Sequence, residues 1–560
     1  MVAGSSYTTT KTFSPPESHP HHTASHPERT HAVKSSTRIG GLVALATGVA
    51  LVAVGCSAPA EESPDSPDTL VIDKSFDLVT ADPARMFETT GGIVLHAVYD
   101  SLLTFADGNA EEPLPSVAES WEVNDDATVY TFNLRDGIVF SDGSPLTSDD
   151  VVFSLDRVKN IQGNGSFLMA GLSVEAPDED TVVITSEAPN TAVPAILTSA
   201  TLGIVNKDVV EENGGTDAED AIDTDTAEEY LNSASAGSGP YTIESFDTTT
   251  EVVLVANPEY WGEAPEYDRV VIRNATAETQ LQDIQSGTAH VALDLGSDQL
   301  GALEGNDEII TSTSSSPTIF FLFANANVDV SDVTATDDFR EAMKYGLDRD
   351  ALLELAGDGA SVAYGIIPNT YLGALGEDAA VERDVDRASA AVARLGGDVT
   401  VSLEYPNDIS VAGINFGPVA ERIAAQLAEV GITVELAPGP VATTLENYRN
   451  GTEEMGLWLW NPDYPDSADY LAFGPGEIVG LRAGWAEGSD PALESVMDQV
   501  STETDAATRE TLYQDFQKLE NEASVIVPLF QPAATVVATT AVGQVDFDPV
   551  FQLDIAAIGK

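Results

Sequence analysis

The sequence predicts an α/β protein with more than one lobe and a sheet that is partly parallel. The chain has 560 residues. About 500 of them remain behind the N-terminal leader described below, more than one hydrophobic core usually serves. Residues 399–436 read as strand, helix, strand. Val399–Tyr405 alternates, and Val419, Ile423, Leu427 and Val430 make a helical stripe. Gly431 supplies the stop and Ile432–Leu436 is again a strand. That spacing is a βαβ unit, which puts parallel strands in a sheet. Short strands and helices follow one another elsewhere, with no repeat of fixed period.

The elements can be taken in order. The folded part starts at Thr69 with the strand TLVID. Thr128–Leu134 alternates, with Tyr130, Phe132 and Leu134 on one face. Ser141–Pro145 is a turn, and Thr147 then caps a helix with Asp149 and Asp150 in its first turn. Its apolar stripe is Val151, Val152, Leu155 and Val158. The acidic stretch 211–229 is expected to be a solvated insertion. A strand at Val252–Val255 and a helix at Glu278–Ser286, stopped by Gly287, come next. Ile319–Phe323 is a wholly apolar strand. Helices follow at Asp338–Tyr345 and at Arg349–Ala356, the second ending on Gly357. Met455–Trp460 is a strand, and a helix at Ala507–Glu520 leads into the strand Val525–Phe530.

The charge balance is extreme: 24 basic residues face 92 acidic ones, a net charge of −68. Such a surface repels nucleic acid and anionic headgroups, so neither is an expected partner. It suits a solvated surface, including one kept soluble at high salt, or electrostatic capture of a cationic ligand. There is a single cysteine, Cys56, so an intrachain disulfide and a Cys-rich metal site are excluded. Five of the seven histidines lie in the first 31 residues. The remaining two, His96 and His290, are expected to be structural.

Residues 1–38 are rich in Ser, Thr, His and Pro and read as a disordered extension. Lys34 and Arg38 precede an apolar run from Ile39 to Val54, the pattern of an export signal and too short for a stable membrane span. The run ends Val52-Ala53-Val54-Gly55-Cys56, which resembles a bacterial lipobox, with Ala53 in place of the usual leucine. Cys56 is therefore the expected lipidation site. Acyl chains contribute roughly 0.8 kcal/mol per buried CH₂, enough in pairs to hold a folded domain on a membrane. Residues 57–68, small, acidic and Pro-rich, read as a tether.

Several segments together resemble one family. Pro115–Val123 (PSVAESWEV) leads through Asp126 into YTFNLRDGIVFSDGSPLTSDDVVFSLDRV at 130–158. GSGPYTIESF (237–246), NPEYWGEAPEYDRVVIR (257–273), FREAMKYGLDRDALL (339–353) and WNPDYPDSADYL (460–471) follow in order. These blocks are similar to those of the peptide/nickel-type extracellular solute-binding proteins, the receptors of oligopeptide and dipeptide ABC importers. The resemblance implies a two-lobed, periplasmic-binding-protein-like α/β fold with mixed sheets, an enlarged first lobe and a ligand cleft at the hinge. Lobe I would take 69–315 plus 526–560 and lobe II 316–525, with Ile319–Phe323 and Val525–Phe530 as crossing segments. It implies a monomer on the outer face of the cytoplasmic membrane that delivers solute to permease and ATPase subunits.

From the residues alone, the stretch Trp458–Asp466 is either a core strand with its turn or a carboxylate among aromatic rings fit to bind an ammonium group. The family resemblance implies the second: in peptide-binding members an Asp three residues after a Trp holds the ligand's α-amino group. Asp463 after Trp460 matches, Tyr464 and Asp466 continue the motif, and Ser467 stands in place of a frequent proline. The opposite wall is expected around Phe87, Thr89 and Thr90. No arginine for a ligand carboxylate can be named.

Catalysis is not expected. The chain lacks GxSxG, GxxxxGK[ST] and HExxH motifs and paired cysteines. No cofactor is expected, and with only His96 and His290 in the body a bare nickel ion is disfavoured. A nickel complex, a sugar or another small solute remains an alternative ligand. A purely structural envelope lipoprotein is the other class.

Overall fold

The computed structural model describes residues 68–560, apart from Asp107, Asn109, Glu111, Asp398 and Gln544 and the side chains of Ser297 and Asp298. The expected extension, export segment, lipid-bearing Cys56 and tether as far as Pro67 lie outside the described residues. Two lobes are built on separate sheets. The first lobe holds a seven-stranded mixed sheet. Its order is Ile309–Ser315, Ala533–Thr539, Val291–Ala292, Thr69–Lys74, Arg269–Asn274, Glu251–Ala256, Tyr241–Phe246. Thr69–Lys74 pairs in parallel with both neighbours, and the other pairs are antiparallel. A four-stranded antiparallel sheet adds to this lobe: Ala118–Val123, Val129–Leu134, Thr181–Ser186, Leu172–Asp178. Tyr130, Phe132 and Leu134 face its core, as their alternation predicts.

The second lobe is a six-stranded mixed sheet. Its order is Ser361–Val362, Ile526–Gln531, Ile319–Ala324, Met455–Trp460, Val399–Pro406, Ile432–Gly439. Val399–Pro406 and Ile432–Gly439 are parallel and joined by the helix Phe416–Glu429, so the βαβ unit forms as its pattern requires. Ile319–Ala324 is apolar at every position because both faces are covered. Phe320 and Leu322 enter one core cluster while Phe321 and Phe323 enter the other.

The lobe crossings and one helix end differ from the sequence expectation. The strand Ile526–Gln531 belongs to the second lobe, not the first, because it pairs with Ile319–Ala324. The crossings are therefore Ser316–Thr318 and Pro532. Pro532 separates two strands of different sheets, and its carbonyl accepts from Ser316 N at 2.9 Å, tying the crossings together. The helix at Arg349 closes at Leu353 rather than Ala356. Leu355 N and Ala356 N reach only three residues back, to Leu352 and Leu353, so the last turn tightens before Gly357.

The acidic stretch 211–229 is not simply solvated. Ala221, Asp225 and Ala227 are buried, and Asp225 accepts from Arg157 of the helix Ser148–Ile161. Arg157, 1% exposed, also forks onto Asp82 with bonds of 2.6 and 2.7 Å. One guanidinium thereby clasps the acidic stretch and the loop that leads to Phe87.

Candidate functional site

A cavity of about 1010 Å³ lies between the lobes. Its floor includes the crossing residues Ser316, Pro317 and Thr318. The first lobe contributes Phe87, Thr89 and Thr201, and the second contributes Tyr371, Asp463 and Tyr464. An adjoining cavity of about 1310 Å³ shares Val411, Leu459, Asp463 and Tyr464 with it and adds Trp460 and Arg482. Asp463 thus stands where the two spaces meet.

The local chain explains that placement. Met455–Trp460 is held in register by Ile319–Ala324, with Trp460 opposite Ile319. The strand ends at Asn461-Pro462, and a turn follows until the short helix Ser467–Phe473 begins. Asp466 caps that helix by accepting from Ala468 N at 2.7 Å. Ser467, where the resembled motif often has proline, donates its hydroxyl to Leu372 O at 2.6 Å and anchors the turn. Asp469 accepts from Trp460 Nε1 at 2.7 Å and from Asp463 N at 3.2 Å. The indole and the Asp463 backbone are therefore fixed by one buried carboxyl.

Burial sets the charges of this pair apart. It pushes Asp469 up to about 8, with the nearby Asp463 charge adding to the effect. Burial also raises Asp463, to about 6, while Arg482 opposes the rise. At neutral pH Asp469 is protonated and Asp463 carries the charge. Among the described residues, the Asp463 carboxylate makes no hydrogen bond. Tyr464 reaches across the cleft and packs against an apolar cluster of the first lobe that includes Phe132 and Leu168.

The predicted residues divide. Asp463, Tyr464, Phe87 and Thr89 line the first cavity, and Trp460 lines the adjoining one. Phe87 meets Phe167 edge to face at 5.0 Å, and Phe167 borders the adjoining cavity. Asp466 and Thr90 line neither. Both Asp466 oxygens accept from Arg509, at 2.9 and 3.0 Å, so its charge is spent on the turn. Thr90 is fully buried and donates its hydroxyl to Asp77, which also accepts Thr89 N and Thr90 N at the start of the helix Thr89–Val98. These pairings join residues far apart in the chain, and no local pattern announces them. His96 stacks on Phe551 at 3.6 Å, and His290 Nδ1 accepts from Val71 N at 3.0 Å.

Sequence reasoning missed Tyr371. It is 5% exposed, its hydroxyl has no hydrogen-bond partner, and it lines the first cavity. A lone tyrosine in a Gly- and Pro-containing loop gives no signal of such a position.

Comparison with known proteins places this geometry in a lineage. The chain is 27% identical to the probable D,D-dipeptide-binding periplasmic protein DdpA of Escherichia coli over 475 residues, covering 83% of this chain and 88% of that protein. It is 24% identical to the periplasmic oligopeptide-binding protein OppA of E. coli, over 89% and 93% of the two chains. Among solved structures, HbpA2 from Haemophilus parasuis shares the fold with a TM-score of 0.77 at 22% identity, over 88% and 99% of the chains. DppA from Helicobacter pylori in complex with the peptide STSA shares it with a TM-score of 0.67 at 21% identity, over 88% and 98%. The profile of the bacterial extracellular solute-binding proteins, family 5, matches residues 112–475, more than half of the sequence, and the chain belongs to that family.

Proposed function

We propose that this protein is an exported receptor, anchored through lipid on Cys56, that captures a peptide or peptide-like solute between its lobes. It then presents the solute to the permease and ATPase subunits of an ABC importer. One observation carries the ligand class: Asp463 offers a charged, unpartnered carboxylate in a half-buried position where the two cavities meet. A ligand ammonium group there gains a charge-assisted hydrogen bond away from bulk water. Trp460 and Tyr464 beside it supply ring faces, on the order of 0.5–2 kcal/mol for a cation. The names of the curated relatives, dipeptide- and oligopeptide-binding, support the same class. No helix among the described residues is long and apolar enough to cross a membrane, which suits attachment through the leader.

Titration calorimetry with a di- and tripeptide set tests the proposal. Wild type is expected to bind at least one peptide, and Asp463→Ala to lose 100-fold or more in affinity with an unchanged melting temperature. Equal affinity in the variant rejects Asp463 as the amino-group anchor.

A further inference from the structure

The first cavity has a one-sided charge. Among its described lining residues there is no lysine, arginine or histidine, while four carboxylates are present: Glu88, Asp294, Asp358 and Asp463. Two of these are engaged by the protein. Glu88 accepts main-chain N–H groups of Val79, Thr80 and Phe87. Asp294 accepts from Lys74, Ser75 N and Gln280. Asp463 and the exposed Asp358 have no hydrogen-bond or salt-bridge partner among the described residues. Among the described lining residues, the one group that is both buried and unpaired is neutral, the Tyr371 hydroxyl.

We infer that the first cavity selects solutes that carry an ammonium group and end in a neutral amide or carbonyl rather than in a free carboxylate. This rests on the proposal that Asp463 binds a ligand amino group. A carboxylate entering this space would leave water without meeting a counter-charge, and would face Asp358 and Asp463. A neutral amide has no such penalty. Its carbonyl can accept from the Tyr371 hydroxyl, or its N–H can donate to it, which would satisfy a buried group that is otherwise orphaned. The net charge of −68 acts in the same direction by repelling anionic solutes before they reach the cleft. The two arginines of the adjoining cavity do not alter this. Arg449 and Arg482 lie beyond Asp463, among Asp469, Glu477, Glu487 and Glu494, and the Arg482 guanidinium rests over the Tyr448 ring at 4.9 Å.

The test is calorimetry at pH 7 with L-alanyl-L-alanine, its C-terminal amide, and the N-acetylated amide. The amide is expected to bind at least ten-fold more tightly than the free acid, and the N-acetylated amide not at all. Tyr371→Phe should weaken the amide five- to ten-fold without lowering the melting temperature, because the change removes an unsatisfied hydroxyl. A free acid that binds as tightly as the amide, or more so, overturns the inference. It would place the carboxylate on Arg482 and leave the peptide-receptor proposal intact. Failure of all three compounds to bind counts against both. Unchanged affinity in Tyr371→Phe removes the hydroxyl from the recognition scheme.

Discussion

At the scale of the residue, Asp463 and Asp469 show how two carboxyls six positions apart take different duties. Asp469 lies deeper, is protonated at neutral pH and serves as a fixed acceptor for Trp460 Nε1 and Asp463 N. Asp463 sits nearer the opening and titrates near pH 6. Its raised value dictates a sign. In the empty cleft the carboxylate takes up a proton as pH falls through about 6, whereas an ammonium ligand requires the ionised form. Affinity should therefore be greatest near pH 7 and weaken by about ten-fold for each pH unit below 6. It should weaken again above about 8, where a peptide α-amino group loses its charge. Binding at pH 5.5 should also release a proton, visible as a heat that varies with the ionisation enthalpy of the buffer. Asp463→Asn is expected to flatten the acid limb. A variant that retains that limb would mean that another group titrates.

At the scale of the element, the cleft wall depends on a clasp that is remote from it. Arg157 on the helix Ser148–Ile161 holds Asp82 and Asp225 with four hydrogen bonds between 2.6 and 3.0 Å. Asp82 starts the turn that delivers Phe87, since Arg85 N and Met86 N both bond to its carbonyl. Arg157→Met leaves the buried carboxylates of Asp82 and Asp225 with only the partly exposed Arg85, at 3.3 and 3.1 Å, as a salt-bridge partner among the described residues, and should cost about 3–5 kcal/mol in urea unfolding. Arg157→Lys should recover little of that, because an ammonium cannot reproduce the planar fork. A loss below about 1 kcal/mol for Arg157→Met would show that the clasp is dispensable. The same clasp marks where the sequence stops being legible. Local periodicity located several of the strands and helices, among them the parallel pair around Phe416–Glu429, because it follows from which face is buried. It could not show that an acidic run tucks Asp225 beneath a helix, that Asp466 is taken by Arg509, or that Thr90 turns inward to Asp77. Those outcomes depend on partners 68, 43 and 13 residues away. Pro532 was a usable signal for the crossing, since a proline between two apolar runs cannot carry a ladder onward.

At the scale of the whole molecule, the two lobes meet on both sides of the cleft. On one side Tyr464 lies against the first lobe's apolar cluster. On the other, the hairpin of Ser410–Val411 and Ile414–Asn415 brings Gly413 to the loop at Gly296. A Cβ placed on Gly413 would lie 3.7 Å from the Gly296 Cα, an ordinary contact distance. Between these contacts the described chain crosses at Ser316–Thr318 and at Pro532, a narrow and mutually hydrogen-bonded hinge. A receptor of this build must part the Gly413–Gly296 contact to exchange its solute. A covalent link there should therefore trap whatever state it is formed in. Gly296→Cys with Gly413→Cys, in a Cys56→Ser background, puts a thiol on each side of this contact, and because an added Gly296 Cβ would face Gln299 Oε1 at 3.2 Å the two loops must shift slightly for the disulfide to close. Gly413 has a φ of +77°, so a cysteine there costs about 1–2 kcal/mol and oxidation must overcome that. Oxidised in the presence of solute, the variant should release it at least ten-fold more slowly than the wild type. Oxidised empty, it should fail to bind, and a reductant should restore both behaviours. Exchange at the wild-type rate in the oxidised form would mean that solute enters without separating this contact, through the adjoining cavity beside Trp460.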